Sequence, residues 1–326
     1  MNPQISICVP TFNGEKYIRK CLESCVNQTF RDFEIIICDD VSTDATVLII
    51  KEYQFRYPFV KFYQNSVNLG LVANWNKCLD LASGEWIKYL FQDDLMENNC
   101  LLRFHENFTP QVKLLVCRRN FVLDKQATLA EIDYYSSQVR TLENTGFYKS
   151  DFFSADMIIK LAAKNIALNF IAEPSLAIFR KDVIKTFGDF DPALKQICDL
   201  EFFLRIASNC GLTYIPEQLC SFTIHADSTT EKNINSKDFH QSYLESLIFA
   251  AKLLSKEGFE KLRVSLPMFE LLKIKLYVKY KSYLAFKAIN SIEDKSLYLN
   301  LQKQYPGLFF KKKDSFYLSL ASRLKS

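Results

Sequence analysis

The octapeptide IKYLFQDD, residues 87–94, ends an apolar, β-prone run on two adjacent carboxylates, Asp93 and Asp94. A second pair, Asp39 and Asp40, follows the run EIIIC (34–38), and the cluster Pro10, Thr11, Phe12, Asn13 follows ISICV (5–9). One acidic pair after a strand reads equally well as a turn or a cap, because a carboxylate accepts backbone N–H groups there. Three polar clusters at one sheet edge exceed what capping demands. Carboxylate oxygens gathered at one place suit a hard divalent cation such as Mg2+ or Mn2+ rather than zinc or copper. The chain has eight glycines, and none forms a GxGxxG turn or a GxxxxGK loop followed by Ser or Thr. Without such a cradle, a bound diphosphate would need a metal to neutralise its charge.

The elements that must carry these residues alternate in type. ISICV is a strand, and Ile18, Leu22, Cys25 and Val26 fall at helical spacing behind it. EIIIC is the second strand, TDATVLIIKEYQ from Thr43 a helix with an acidic first turn, and VKFYQN (60–65) the third strand. A helix with Trp75, Cys78, Leu79 and Ala82 on one face leads into a fourth strand, EWIKYLF (85–91), and both tryptophans, Trp75 and Trp86, read as core. This alternation predicts a mostly parallel sheet covered by helices, and such sheets bind ligands beyond the carboxyl ends of their strands. Further on, VKLLVC (112–117) is a strand, and residues 125–146 are polar and irregular, an excursion near the site. SLAIF (175–179), a helix from Asp199 and LTYI (212–215) restore α/β order. From about Ser236 the pattern is helical only, with Tyr243, Leu247, Ala250, Ala251 and Leu254 on one face.

Composition narrows the function classes. With 326 residues, 48% apolar and 24% charged, the chain can bury one large core with a smaller appendage, or two modest domains. A net charge of +4 does not call for nucleic acid, and no aromatic–basic stripe suggests it. The ten cysteines are scattered through apolar runs, as reduced core thiols are, and Cys21 to Cys25 is the wrong gap for a redox pair. The N-terminus enters a strand at once, with no signal-peptide pattern, and no apolar run nears the ~20 residues that span a bilayer. A cytoplasmic location is expected. The segments LLKIKLYVKYKSYLAFK (271–287) and FFKKKDSFYLSLASRLK (309–325) mix lysines with aromatic and apolar residues. Such segments lie on an anionic membrane face, or pack on the main domain with their lysines solvated.

Three longer blocks carry a family resemblance. SICVPTFNGEKYIRKCLESCVNQTFRDFEIIICDDVSTDAT (6–46) resembles the N-terminal signature of the family 2 glycosyltransferases, and NLGLVANWNKCLDLASGEWIKYLFQDD (68–94) resembles the block ending in their metal-binding acidic motif. PSLAIFRKDVIKTFGDFDPALKQICDLEFFLRIASNCGLTYIPEQLCSFTIHADSTT (174–230) resembles their acceptor-side half. The resemblance implies a GT-A fold, an α/β Rossmann-like sheet flanked by helices, over residues 1–230. Its nucleotide-sugar half would run to about 110 and its acceptor half over 111–230, with a helical extension at 231–326.

It also implies an inverting transfer of sugar from a nucleotide diphosphate, characteristically UDP, to a hydroxyl of a glycan or lipid-linked glycan. Polysaccharide, lipopolysaccharide or capsule assembly is the implied setting, with Mn2+ or Mg2+ as cofactor. Pro10, Thr11, Phe12 and Glu15 would lie near the nucleobase and ribose. Asp40 would accept from the base, and Asp39 would brace the turn. Asp93 would face the ribose or diphosphate and Asp94 the metal, although either could be the principal ligand, since Phe91 and Gln92 stand where relatives often begin an Asp-X-Asp-Asp motif. Asp199 would be the catalytic base, a role compatible with capping its helix, and Glu201, its rival, would point elsewhere. His225 would lie near the diphosphate or metal. Two other classes stay open: a nucleotidyltransferase on a related fold, and a nonenzymatic nucleotide-sugar-binding protein.

Overall fold

The computed structural model describes residues 2–123, 142–145, 151–165, 168–225, 238–255 and 258–309. Strands β1 (Ile5–Thr11) and β2 (Phe33–Asp39) are buried along all seven residues, as the centre of a sheet covered on both faces requires. The remaining strands are β3 (Val60–Gln64), β4 (Trp86–Tyr89), β5 (Leu95–Met96), β6 (Leu114–Leu123), β7 (Phe152–Phe153), β8 (Ala177–Arg180) and β9 (Leu212–Ile224). Among the described residues they form one sheet in the order β3-β2-β1-β4-β8-β6-β9-β5, with β7 also paired to β9. The first four strands are parallel, as expected. β8 then runs antiparallel to β4 and β6, so the second half of the sheet is mixed.

Helices α1 (Ile18–Val26), α2 (Thr46–Arg56) and α3 (Leu71–Leu81) connect the parallel strands. In α1, Ile18, Cys21, Leu22, Cys25 and Val26 are buried, the stripe that its spacing predicts. α4 (Cys100–His105), α5 (Ala155–Lys164), α6 (Val183–Phe187) and α7 (Cys198–Cys210) serve the mixed half. A C-terminal group follows: α8 (Glu245–Ser255), α9 (Glu260–Ser265), α10 (Met268–Lys287) and α11 (Ile292–Gln304). None of the described helices is long and apolar enough to cross a membrane. All ten cysteines are free thiols, buried except for the half-buried Cys210.

Register brings the polar clusters level. Thr11 pairs with Asp39, so β1 and β2 end together, whereas β4 ends opposite Cys8. The expected strand 85–91 therefore stops at Tyr89. Asp93 and Asp94 lie on a turn beyond it, closed by Asp94 N–H donating to Phe91 O at 3.0 Å. The turn continues into β5, antiparallel to β9. Two other expectations shift similarly. The SLAIF strand begins at Ala177 after a 3-10 turn, Pro174–Leu176, and LTYI extends into the 13-residue β9.

α8 is buried on nearly every side, including Leu247, Ile248, Phe249 and Ala250, rather than on one face. Tyr243 belongs to the exposed part of a preceding π-turn, His240–Leu244. Most of the irregular stretch 125–146, the helical onset near Ser236, the expected boundary at 230 and the tail beyond 309 lie outside the described residues.

Candidate active site

A cleft of about 680 Å3 opens at the carboxyl edge of the sheet, within the usual size of a small-molecule site. Pro10, Thr11, Phe12, Glu15, Asp40, Asp93, Asp199 and His225 all line it. Asp94 is buried and is not part of the lining.

The first wall is made by the loops after β1 and β2, which lock into each other. Asn13 N–H donates to Ser42 Oγ at 2.8 Å, Thr43 N–H to Asn13 Oδ1 at 2.8 Å, and Ala45 N–H to Glu15 Oε2 at 2.9 Å. Beneath them Asp39 is fully buried and accepts from Thr11 Oγ1, Ser42 N–H and Gln64 Nε2, which is a brace. Val41, directly after Asp40, has φ 67°, a conformation costly for a β-branched residue, on the order of 1–3 kcal/mol. It turns the chain so that Asp40 meets the entrance of α3. There Asp40 accepts Leu69 N–H at 2.7 Å, Gly70 N–H at 2.9 Å and Asn65 Nδ2 at 2.9 Å.

Gln92 ties this wall to the acidic turn. Its amide accepts from Phe12 N–H at 3.0 Å and donates to Phe12 O at 3.1 Å. A Cβ on Gly14 would stand 2.3 Å from Gln92 Oε1, so a larger residue there would push the Gln92 amide away from Phe12.

On the turn itself, Asp93 Oδ2 lies 2.9 Å from His225 Nε2, and the imidazole packs on Tyr17 with ring centroids 4.3 Å apart. β9 ends at Ile224, so it delivers His225 directly. Behind this pair Asp94 Oδ1 accepts Thr223 N–H at 3.1 Å. Burial, then the charge of Asp93, pushes the Asp94 carboxyl well above the usual carboxylate range. Two buried atoms, Asp94 Oδ2 and His225 Nδ1, have no hydrogen-bond partner among the described residues.

Among the described residues no three His, Cys, Asp or Glu side chains form a ready metal cage. The residues still fit a magnesium- or manganese-type ion, which is commonly bound by one or two protein groups and completes its shell from substrate phosphates. Charge agrees: the cleft is lined by Glu15, Asp40, Asp44, Asp93, Glu173 and Asp199 against Lys16 and Lys195.

The cleft lining also holds Asp199. α7 begins at Cys198, with Ile197 at the cap position, so Asp199 sits in the first turn and is not the N-cap. Asn169 Nδ2 donates to Asp199 Oδ2 at 2.9 Å, and Leu200 N–H donates to Oδ1 at 2.7 Å. Burial, joined by the charge of Glu173, raises the Asp199 carboxyl to about 7, the Leu200 N–H and Arg119 opposing only in part. Glu201, as expected, points away: it is fully buried and paired with Arg205 at 2.7 Å.

Sequence reasoning missed several residues. Glu173, Lys195 and Gln196 also line the cleft, and Asn169 holds Asp199. Glu173 sits one residue ahead of the block beginning at Pro174, and the Glu-Pro dipeptide was its only local signal. Lys195 and Gln196 have none, because Glu245, from α8, fixes them by accepting both backbone N–H groups at 2.8 Å. Trp75 is core, at 6% exposure, yet one edge reaches the cleft.

Known proteins resemble this chain in sequence and fold. The family model described as Glycosyl transferase family 2 matches residues 6–186, more than half of the chain. Chondroitin synthase of Escherichia coli is 26% identical over 234 residues, 72% of this chain and 31% of that protein, so the chain spans under a third of that relative. S. aureus TarS 1–349, solved in complex with UDP-GlcNAc, has a TM-score of 0.58 at 18% identity, over 94% of this chain and 80% of that one. The mannosyltransferase PcManGT from Pyrobaculum calidifontis, solved with GDP-Man and Mn2+, has a TM-score of 0.55 at 14% identity, over 100% of this chain and 86% of that one. At such identities the structural likeness is one of fold.

Proposed function

We propose a function from one premise: this chain belongs to glycosyl transferase family 2. It transfers a sugar, with inversion, from a UDP-sugar to an acceptor hydroxyl of a growing or lipid-linked glycan. The observation that carries the reading is that one cleft holds two unlike groups: the Asp93–His225 pair and Asp199, poised near neutrality. The donor preference is supported by Asp40, whose carboxylate is an acceptor only and so selects an N–H such as that of uracil. It also draws on TarS, a fold neighbour solved with UDP-GlcNAc. The polysaccharide setting draws on chondroitin synthase.

In this reading Pro10, Thr11, Phe12 and Glu15 embrace the base and ribose. Asp93 and His225 hold Mg2+ or Mn2+, and Asp94 holds their turn from behind. When bound, that ion would offset the charge of the diphosphate in a cleft otherwise lined by carboxylates. Asp199 accepts the proton of the acceptor hydroxyl as its oxygen bonds to the anomeric carbon, while the bond from that carbon to the diphosphate oxygen breaks on the opposite side. Attack from opposite the leaving group inverts the anomeric centre. A base near pH 7 is matched to this task. The catalytic unit is residues 1–230, with 231–326 as an extension, of which α8 buttresses it. The protein works on the cytoplasmic side of the membrane, against which α10 can lie.

Calorimetry of UDP binding tests the donor half. With Mn2+ the affinity should exceed that in chelator by ~10-fold or more, and Asp93→Asn should erase most of the difference. Equal affinity under all three conditions would refute metal-assisted binding. A product that keeps the donor's anomeric configuration would refute the displacement.

A further inference from the structure

Glu173 and Arg119 form a charge pair whose geometry differs from that of an ordinary core salt bridge. Arg119 is buried, and its Nε and Nη2 donate to Glu173 Oε2 and Oε1, each at 2.7 Å. Glu173 instead keeps 23% of its side chain exposed and lines the cleft that contains Asp199. A carboxylate offers about four lone-pair sites, and the guanidinium takes two of them. The rest stay available on the cleft side.

Everything behind Glu173 is braced. It precedes Pro174 and takes the extended backbone, φ −74° and ψ 155°, that a following proline enforces. The Pro174–Leu176 turn is held by the buried ammonium of Lys88 donating to Ser175 O, and by Phe91 N–H donating to Ser175 Oγ at 3.1 Å. The same short loop carries Asn169, which donates to Asp199 and to Ala172 O, so the loop that holds the base also carries the second carboxylate. Glu173 on this loop and Asp199 on α7, tied to the loop by Asn169, line one cleft and are held in place before binding.

We infer that Glu173, clamped by Arg119, is an acceptor subsite that accepts a hydrogen bond from the hydroxyl neighbouring the one Asp199 deprotonates. The inference rests on the glycosyl-transfer reading and deepens it by naming the acceptor class. That class is a sugar or polyol offering two adjacent free hydroxyls, uncharged at the second. A fixed, acceptor-only carboxylate rewards an O–H there and penalises a phosphate, a carboxylate or a deoxy carbon.

The test is a ligand-observed NMR titration of the enzyme–UDP complex with ribitol and with the methyl glycosides of glucose, galactose and N-acetylglucosamine. Deoxy analogues of the best binder, each lacking one hydroxyl, are titrated next. In the wild type one deoxy analogue should bind ~10-fold more weakly. In Glu173→Gln the parent should lose the same ~10-fold, and that analogue should lose nothing further, while UDP affinity holds. Because the variant removes the counter-charge that Glu173 gives Arg119, Arg119→Met/Glu173→Gln provides a neutral counterpart with the same expected result.

A second measurement is the pH profile of UDP-sugar hydrolysis by water. Among the described residues, Glu173 and Arg119 are the charges that act on Asp199, and the Cys198 thiol beside it in sequence is buried and turned to Lys195 O. Removing the Glu173 charge should move the acid limb to lower pH. Unchanged parent affinity in a folded variant, multiplying losses, an unmoved acid limb, or no wild-type binding to any probe would each overturn the subsite. If wild-type hydrolysis persists alongside such a result, only the subsite falls. If the wild type cleaves no UDP-sugar, the transferase reading falls with it.

Discussion

In the proposed role of base, Asp199 combines a catalytic demand with a cost to stability. Its carboxyl lies near 7 instead of 3.8, so turnover should climb as pH rises through about 7, where the base ionises. Stability should run the other way. The folded state holds the Asp199 proton more tightly than the unfolded chain does, so between about pH 4 and 7 each step upward in pH favours unfolding at this residue. The cost is absent below the unfolded value and complete above the folded one. Asp199→Asn keeps the acceptance of the Leu200 N–H but never ionises. It should lose ~100-fold to ~10,000-fold in kcat and leave UDP affinity intact. It should also be more stable than wild type by about 1–4 kcal/mol at pH 8, a gap that closes by pH 4. Urea melts at pH 4, 6 and 8 beside single-turnover assays check both signs. A variant with wild-type turnover would remove Asp199 from the chemistry.

At the scale of elements, the C-terminal group reaches the site through α8. Glu245 is buried and accepts Lys195 N–H and Gln196 N–H, with Ile197 N–H also directed at it, and so supplies the cap that the start of α7 lacks in its own sequence. Lys252, about two turns along the same face of α8, pairs with Asp191 in the same loop. A helix beyond the matched family segment therefore fixes the approach to Asp199. Glu245→Ala would strand the part-buried backbone donors at the start of α7. It should cost about 2–3 kcal/mol of stability and lower kcat ~10-fold or more, with UDP affinity unchanged because the β1 and β2 loops are untouched. Denaturant melts and UDP calorimetry on the variant separate these effects. An equal loss of UDP affinity would show that α8 supports the whole cleft rather than the Asp199 wall.

Across the whole molecule, one surface has no role in the cleft. Met268, Leu272, Lys275, Lys279 and Phe286 recur along one side of α10 at helical intervals, the apolar three exposed and Lys275 exposed with them. Apolar side chains interleaved with cations complement an anionic bilayer surface, where each lysine contributes about 1 kcal/mol. Cosedimentation with phosphatidylglycerol vesicles should retain the protein at low salt and release it at high salt. Leu272→Glu/Lys275→Glu should weaken retention ~10-fold or more with turnover on a water-soluble acceptor unchanged. Retention that ignores both salt and substitution would assign these residues to solvent alone.

Most of the parallel half of the fold was legible because its signals are local. Continuous apolar runs can only be covered strands, and the stripes of α1 and α3 follow helical spacing. The positions of Asp39, Asp40 and the Asp93–Asp94 pair then follow from the rule that such sheets bind at their carboxyl edge. Burial and pairing are not local quantities. That Asp93 rather than Asp94 faces the cleft depends on where β9 crosses the acidic turn, since Thr223 N–H claims Asp94 and the end of the strand brings His225 to Asp93. Glu173 joined the site because Arg119, 54 residues earlier, holds it there. Glu245 joined because its partners are backbone groups, which leave no trace in residue types. Sequence alone determined which residue types stand at the sheet edge. Only the tertiary structure decided which of their atoms share the cleft, because contacts between distant segments set desolvation and hydrogen bonding together.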